Sequence, residues 1–384
     1  MKTGINLQEM AAELQRQQDA KRDFIASTSA MEFGVTETAV VTGVDEETGN
    51  NVVEMQPNVE LRVRGVDETL ECGKTSHAQF AGRTGIPKKY YDKMLLEAPE
   101  LLVRNLNEWL HRGPTDQLVR TLDGKCRALL SSRYRPMDNF DLATAVLPAF
   151  TQHEAHVESI NIDEDSFHLK AIMPGLKAEI APASLAEWKW GEGHHPIDVV
   201  QGGIVIRNSE VGAAALSISP AVHTVQCTNL ATFKEDAMRK THVGRRNAAA
   251  DEGFARFLTD ETHKLNDAAL WSSVRDLTVA ALDGRVFHAR VEELKRARSS
   301  TPIENVEKTI EAVAVTFGLN EDESSNVLSH LASGGELNQY GLSAALTRAS
   351  QDLDSYDRAS EFERLGGQVI ELKQSDWKTL ATAS

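Results

Sequence analysis

The stretch of residues 202–246 limits the fold most strongly, because it holds three short, largely apolar segments in close succession. Residues 204–206 and 215–218 flank a polar turn that contains glycine, a pattern that predicts a β-hairpin. Pro220 is expected to end the second strand, because proline lacks the N–H group that a central strand uses. Residues 222–227 are predicted to form a third strand.

A helix is predicted after this third strand. Leu230, Phe233 and Met238 recur at helical spacing, and Asn229 is a suitable N-cap. The result is a twisted antiparallel sheet with a β-β-β-α core unit. Cations and one amide lie on the polar turn, on the polar side of the predicted helix and in the segment after it. They form a first candidate DNA-binding group: Arg207, Asn208, Lys234, Arg239, Lys240, Arg245 and Arg246.

This cationic face contrasts with the composition of the whole chain. There are 41 Lys and Arg residues against 57 Asp and Glu residues, which gives a net charge of −16. A protein that coats a polyanion over its whole surface is basic, so any nucleic-acid contact is expected to be a local patch.

Cysteine content and the absence of targeting segments predict the compartment. The three cysteines are Cys72, Cys126 and Cys227, which are few and widely spaced, so we expect a reducing compartment without a disulfide framework. Residues 1–20 lack the apolar core of a signal peptide, and no apolar run approaches the length of a membrane span. The sequence predicts a soluble, cytoplasmic protein with no membrane partner.

The remaining chain alternates between helical and strand-like patterns. Residues 5–20 predict an amphipathic helix that packs on its own domain or on a neighbouring subunit. Further segments predict strands at 31–70, helices at 76–112 and 139–153, a hairpin within 167–180, and helices within 250–298, 302–331 and 339–353. The fold class is therefore α+β, with flanking helices and a helical C-terminal region; no clear helix is predicted after residue 353. The predicted divisions are an N-terminal helix (1–30), an α+β core domain (31–300) and a helical C-terminal region (301–384).

A second cationic group lies in residues 118–135. Asp123-Gly124 between two apolar runs predicts a hairpin. One interpretation is a surface for phosphates and stacked bases, since guanidinium groups and an aromatic ring suit both. The alternative is solvated strand faces with one arginine paired to Asp138. The residues of this group are Arg120, Lys125, Arg127, Arg133, Tyr134 and Arg135.

Three other patterns suggest chemistry and have a structural alternative. Gly73-Lys74-Thr75 resembles the end of a phosphate-binding loop, but Glu68 occupies the position of its first glycine, so a plain helix start is favoured. A metal site is conceivable at His194, His195 and Asp198, at His223, Cys227 and His242, or at the acidic turn 163–165, but the spacings are looser than those of zinc modules. Cys227, His223 and Asn229 include the residue types of a cysteine hydrolase, yet such groups normally come from distant parts of a chain. No cofactor is predicted.

Four motifs occur together in a known family. They are TSHAQFAGRTGIPKKYYDKM, RTLDGKCRALLSSRYRPMDN, IRNSEVG with CTNLATF and HVG, and NQYGLSAALTRAS. In this order they resemble the phage/plasmid-like protein family, a domain of unknown function found in bacteriophage and prophage genomes. The resemblance covers residues 20–370 and implies a phage or mobile-element origin and a location in the cytoplasm of an infected or lysogenic bacterial host. It implies no particular activity.

A fold-level analogy goes further. An antiparallel β-β-β sheet followed by a basic helix is similar to the core of single-strand annealing proteins of the RecT/Redβ type, which form rings or filaments around single-stranded DNA. The analogy rests on architecture alone. The first hypothesis is therefore a phage DNA-metabolism protein that binds or anneals single-stranded DNA as a homo-oligomer without ATP, with partners among phage or host replication and recombination proteins. The alternatives are a host-interaction factor that acts through an acidic surface, and a metal-dependent hydrolase or nuclease that uses the His194, His195 and Asp198 loop.

Overall fold

The computed structural model describes residues 4–44, 51–181, 197–225, 229–234, 239–240 and 260–383, with the backbone alone for 38–44, 52–56, 239–240 and 260–266. These residues form helices and two β-sheets, and the C-terminal region is helical. The predicted α+β class is confirmed.

The first sheet has six strands and follows a single helix. In chain order these elements are α1 (Leu7–Ala20), β1 (Phe24–Ser27), β2 (Met31–Val44), β3 (Asn51–Val63), β4 (Leu70–Cys72), β5 (Asp116–Leu122) and β6 (Lys125–Ser131). The strand order is β1-β5-β6-β4-β3-β2, and β4 and β6 run parallel whereas the other neighbours are antiparallel. Between β5 and β6 the turn residues Asp123 and Gly124 have φ angles of 51° and 74°, as a tight two-residue turn requires. The predicted hairpin is confirmed.

Three helices pack on one face of the first sheet. They are α2 (Lys74–Thr84), α3 (Lys88–Glu97) and α4 (Pro99–Arg112), which confirms the helices predicted in this region. On α4 the residues Leu102, Leu106 and Leu110 lie four apart and are buried against the sheet. Pro99 is the first residue of α4, where its missing N–H costs no hydrogen bond.

The second sheet is antiparallel throughout its described strands. A helix precedes it, and the elements are α5 (Asn139–Gln152), β7 (His156–Ile162), β8 (Phe167–Ile180), β9 (Asp198–Asn208), β10 (Leu216–Thr224), β11 (Asn229–Thr232) and β12 (Arg239–Lys240). The order is β11-β10-β9-β8-β7, and β12 also pairs with β10. The hairpin predicted at its centre is β9–β10.

The end of the predicted β-β-β-α unit needs correction. Residues 229–232, predicted to begin a helix, form β11, and all four are buried. Residues 222–224 of the predicted third strand are instead the end of β10, which continues through Pro220, and residues 226 and 227 lie outside the described residues. Pro220 lies just beyond the last residue pair of the β10–β11 ladder, so its missing N–H removes no hydrogen bond from that ladder. Its carbonyl still accepts a hydrogen bond from the Phe233 N–H. Helix prediction failed here because a short, fully buried strand shows no alternation.

Helices cover both faces of the second sheet. They are α6 (Asp260–Ala281), α7 (Gly284–Arg298), α8 (Val306–Phe317), α9 (Glu321–Gly334), α10 (Gln339–Ala349), α11 (Tyr356–Glu371) and α12 (Gln374–Ala381). One face packs against α1, α5 and α6. The other packs against α7, α10 and α11, while α8, α9 and α12 share a core with α10 and α11.

Helix α1 packs on its own chain. Its apolar residues Met10 and Leu14 are buried in the core that contains α5 and the second sheet, and Ile5 forms a β-bridge with Ile160. Of the two packing modes predicted for this helix, the described structure contains the intramolecular one.

Candidate functional site

Arg120, a predicted DNA-binding residue on β5, is completely buried. Its Nε donates to Asp23 at 2.8 Å, and its Nη2 donates to Asp138 at 2.6 Å. Its Nη1 donates to the Glu210 carbonyl oxygen at 2.8 Å. Burial opposes the charge of Arg120, but these three acidic neighbours raise its pKa. The expected exposed position is corrected: Arg120 lies inside the protein, and the alternative interpretation of an arginine paired with Asp138 is confirmed.

Two further residues of the predicted DNA surface are also held in the interior. Asn208 is completely buried, and its amide donates to the Met137 carbonyl and to Asn139, both at 2.8 Å. The Arg127 side chain is 13% exposed and pairs with the Glu210 carboxylate at 2.5 Å. If Arg127 moved to contact a ligand, the Glu210 carboxylate would be left buried without its partner. Breaking a buried ion pair in this way costs about 3–5 kcal/mol. Neither side chain is placed to exchange its partner for a phosphate.

Three more of the predicted cations form ion pairs at the surface. They are Lys125 with Glu71, Arg135 with Asp267 and Arg207 with Asp357. In each pair both side chains are between 35% and 54% exposed. Surface pairs of this kind contribute about 0–1 kcal/mol, so a phosphate can replace the carboxylate at little cost. Hydrogen bonding to Glu71 raises the pKa of Lys125, which keeps it charged.

Arg133, Tyr134 and Lys234 differ from these residues. Arg133 and Lys234 are exposed, and neither has an ion pair with another described residue. The Tyr134 ring is partly buried against the β9–β10 turn, close to Gly212. Burial raises the pKa of Tyr134, so its hydroxyl stays neutral. Stacking on a base would use the exposed part of this ring.

The last predicted residues are described in part or not at all. Arg239 and Lys240 form β12, opposite Ser217 and Leu216, with the backbone alone described. Arg245 and Arg246 lie outside the described residues.

Some members of the two predicted groups come together at one end of the second sheet. His168, Arg207, Ser217 and Arg239 are paired in turn, so they occupy one register row across β8, β9, β10 and β12. Neighbouring strands lie about 4.8 Å apart, so Arg207 and Arg239 are about 10 Å apart at the backbone. The loop that carries Tyr134 packs on the turn that follows Arg207.

The residues predicted for metal binding or hydrolysis are separated or already bonded. Asp198 accepts a hydrogen bond from Tyr340 at 2.8 Å and lies 3.2 Å from the buried Arg298. His223 is buried on β10, and burial lowers its pKa, while the amide of Asn229 bonds to the Ala344 carbonyl. Among the described residues no group of three or more His, Cys, Asp and Glu residues is arranged to hold a metal ion. The predictions that involve His194, His195, Cys227 and His242 lie outside the described residues.

A cleft of about 950 Å³ lies between the two sheets. Its walls are α1, the β5–β6 turn, the start of α2 and the turn between β7 and β8. The lining residues are Ile5, Glu9, Ala12, Glu13, Arg16, Gln17, Gly73, Thr75, Leu122, Asp123, Lys125, Cys126, Arg127, Ile162, Asp163, Glu164 and Asp165.

The Gly73-Lys74-Thr75 sequence opens on this cleft as an ordinary helix start. Gly73 is the N-cap of α2, and its N–H donates to the Cys126 carbonyl at 3.1 Å. The Thr75 hydroxyl donates to Asp165. A carboxylate of the protein therefore lies beside the first turn of α2, near the positive end of the helix. The favoured interpretation of this motif is confirmed.

The sequence did not indicate this cleft, since its walls come from four separated segments. The acidic turn at 163–165 was noted as a cation site, but its position opposite α1 depends on how the two sheets pack together. Comparison of the chain with protein-family models, with curated proteins and with solved structures finds no match. Within the part of the chain that the structure describes, no helix is both long and apolar enough to cross a bilayer.

Proposed function

We propose that the chain is a phage-encoded protein of DNA metabolism that binds or anneals single-stranded DNA as a homo-oligomer, without ATP. The motifs that resemble the phage/plasmid-like family support the phage origin. Of the analogy with annealing proteins, the antiparallel strands at the centre of the second sheet remain as support, because the residues predicted to begin the basic helix form β11. Its partners are then the phosphate backbone of the DNA, further copies of the chain, and replication or recombination proteins in the bacterial cytoplasm.

One observation carries this proposal: described members of both cationic groups lie near the β9–β10 turn at one end of the second sheet. Arg207 and Arg239 share a register row there, and Tyr134 packs on the adjoining turn. Cations and an aromatic ring on one surface are the combination that non-specific single-strand binders use.

The proposed interface excludes four of the predicted residues. Arg120, Arg127 and Asn208 are structural, because their side chains are mostly or fully buried and are held by bonds to other protein groups. Lys125 lies on the first sheet and lines the cleft between the sheets. Arg135 and Arg207 remain, since their surface ion pairs are weak enough for phosphates to replace Asp267 and Asp357. The proposed contacts are Arg133, Tyr134, Arg135, Arg207, Lys234, Arg239, Lys240, Arg245 and Arg246.

The test is fluorescence anisotropy of a labelled oligothymidylate at several salt concentrations. Each phosphate contact contributes about 0.7 to the slope of log affinity against log salt. Arg133→Glu and Lys234→Glu are expected to weaken binding and to lower the slope by about this amount each, with equal effects on all sequences. Tyr134→Ala is expected to cost about 1–3 kcal/mol if the ring stacks on a base.

Lys308→Glu is the matched control, because Lys308 is an exposed lysine on α8, away from both groups. Particle mass is measured with and without the oligonucleotide. An increase in mass on binding supports assembly on DNA. Absence of salt-sensitive binding at micromolar protein, with all variants folded, would exclude the proposed function.

A further inference from the structure

The cleft between the sheets has a chemical character unlike that of the proposed DNA surface. Its floor is apolar, with Ile5, Ala12, Leu122 and Ile162 among the lining residues. Its volume of about 950 Å³ lies at the upper end of the range for binding sites of drug-sized ligands, about 300–1,000 Å³. A bound ion or a single amine would leave most of these apolar residues exposed to water, whereas an extended polypeptide segment would cover them.

The cations that line the cleft are all engaged by carboxylates. Arg16 bonds to Glu13 and Asp123, each at 2.8 Å, and the hydrogen bond from Arg16 lowers the pKa of Glu13. Lys125 pairs with Glu71 at 3.0 Å, and Arg127 with Glu210 at 2.5 Å. An anionic ligand would therefore have to compete with a protein carboxylate for each of these three cations.

Carboxylates are in excess on the same walls. Six lining residues are acidic and three are basic, so the lining carries three more negative than positive charges. Asp163 and Glu164 are exposed at the turn between β7 and β8, next to the start of α2. They line the cleft together with Glu9 and Glu13 of α1, so carboxylates from two separate elements border its apolar lining.

We propose that this cleft binds an extended cationic segment of a partner protein, in which lysine or arginine alternates with aliphatic residues. Alternation sends successive side chains to opposite sides of an extended strand, so one row covers the floor while the other reaches the carboxylates. The net charge of −16 also attracts a basic partner over a longer range. This site is independent of DNA binding, and it gives the acidic-surface hypothesis a defined location.

The probe is a fluorescein-labelled peptide of alternating lysine and leucine, titrated with the full-length protein at low salt. We expect saturable binding, and weakening of about tenfold or more when serine replaces leucine or glutamate replaces lysine in the peptide. Asp163→Asn combined with Glu164→Gln is expected to weaken binding about three- to tenfold. The matched control is Asp322→Asn with Glu321→Gln, two adjacent exposed carboxylates on α9.

A second variant separates the cleft from general charge attraction. Ala12 lines the cleft and is exposed on α1, so Ala12→Trp fills the space without changing the charge. We expect this variant to keep its melting temperature and its oligonucleotide affinity while it loses peptide binding. Equal peptide binding by Ala12→Trp and wild type overturns the proposal, as does an equal loss in the α9 control. Displacement of the peptide by spermidine at equal concentration also overturns it, because the site then takes small amines.

Discussion

His77 is a buried titratable residue whose protonation is coupled to folding. It lies on α2 in the core of the first sheet, with Nδ1 2.8 Å from the Tyr91 hydroxyl. Burial, with a smaller contribution from the charge of Lys88, lowers the pKa of His77 from 6.5 to about 4. The folded protein thus keeps His77 neutral over a pH range in which the unfolded chain protonates it.

The sign of the resulting pH dependence follows from proton uptake. Between pH 6.5 and about 4 the unfolded state binds the extra proton, so stability falls as the pH falls through this window. From about pH 7.5 to pH 5 we expect His77 to account for a loss of about 2 kcal/mol in the free energy of unfolding. Urea unfolding at the two pH values measures it. In His77→Gln this part of the loss should be absent.

Tyr91→Phe is the control for this prediction, because it removes the hydrogen bond but keeps the titrating imidazole. It should lower stability by about 1 kcal/mol at both pH values and retain the wild-type pH dependence. A His77→Gln protein with an unchanged pH dependence contradicts the prediction.

Arg120 illustrates how far residue-scale prediction reaches. In the sequence Arg120 is two residues from both Leu118 and Leu122, so in a strand these three side chains share one face, which is apolar apart from Arg120. One of the two open interpretations pairs an arginine of this group with Asp138, and the structure shows that this arginine is Arg120. The contact with the Glu210 carbonyl was not predictable, because Glu210 belongs to the other sheet and the packing of two sheets leaves no local pattern.

At the scale of elements, sequence patterns predicted segments with clear periodicity and failed where burial is complete. α4 shows an apolar stripe, and β5–β6 has a characteristic turn, so both were predicted. β11 is covered by α10 and α11, and its continuous burial removed the alternation that marks a strand. α11 was not predicted for a different reason. Its Gly366-Gly367 pair is typical of a break between elements, whereas the helix continues through it.

Gly367 is explained by close approach of α11 to β11. A Cβ atom at this position would lie 2.0 Å from the Thr232 carbonyl oxygen, which is far inside van der Waals contact. Gly367→Ala is therefore expected to push α11 away from the sheet and to destabilise the protein by about 1–3 kcal/mol, even though alanine favours helix. The urea midpoint measures the change.

Gly334→Ala is the same substitution in a helix without that contact. Gly334 ends α9, and a Cβ atom there meets no other atom within 4 Å. The gain in helix propensity, up to about 1 kcal/mol, should make this variant equal to or more stable than wild type. The prediction for Gly367 fails if the two variants have the same stability.

At the scale of the whole molecule, buried charges connect parts that are distant in the chain. Arg120 joins the first sheet to Glu210 of the second. Lys170 on β8 pairs with Glu363 on α11 at 2.8 Å, with both side chains 1% exposed. Arg298 on α7 pairs with Glu336, which precedes α10. Buried pairs are strongly destabilising when one partner is lost, so these contacts favour one arrangement of sheets and helices.

Helix α1 belongs to this set of connections. Its apolar residues enter the core of the second sheet, while Arg16 bonds to Asp123 on the hairpin of the first sheet at 2.8 Å. The sequence offered an alternative in which the same apolar stripe contacts another subunit. Since Met10 and Leu14 are buried within the chain, a homo-oligomer formed through α1 has to use its exposed apolar residues, of which Leu7 is 44% exposed.

This arrangement makes a prediction that separates folding from assembly. Met10 and Leu14 are 1% and 3% exposed, so Met10→Ala and Leu14→Ala should each lower the free energy of unfolding by about 2–5 kcal/mol. Leu7→Ala, at an exposed position of the same helix, should change it by about 0.5 kcal/mol or less. Urea unfolding gives the stabilities, and light scattering gives the particle mass in the absence of denaturant. If Met10→Ala and Leu14→Ala instead leave the stability unchanged and reduce the particle to a monomer, α1 is an assembly contact and its intramolecular packing is wrong.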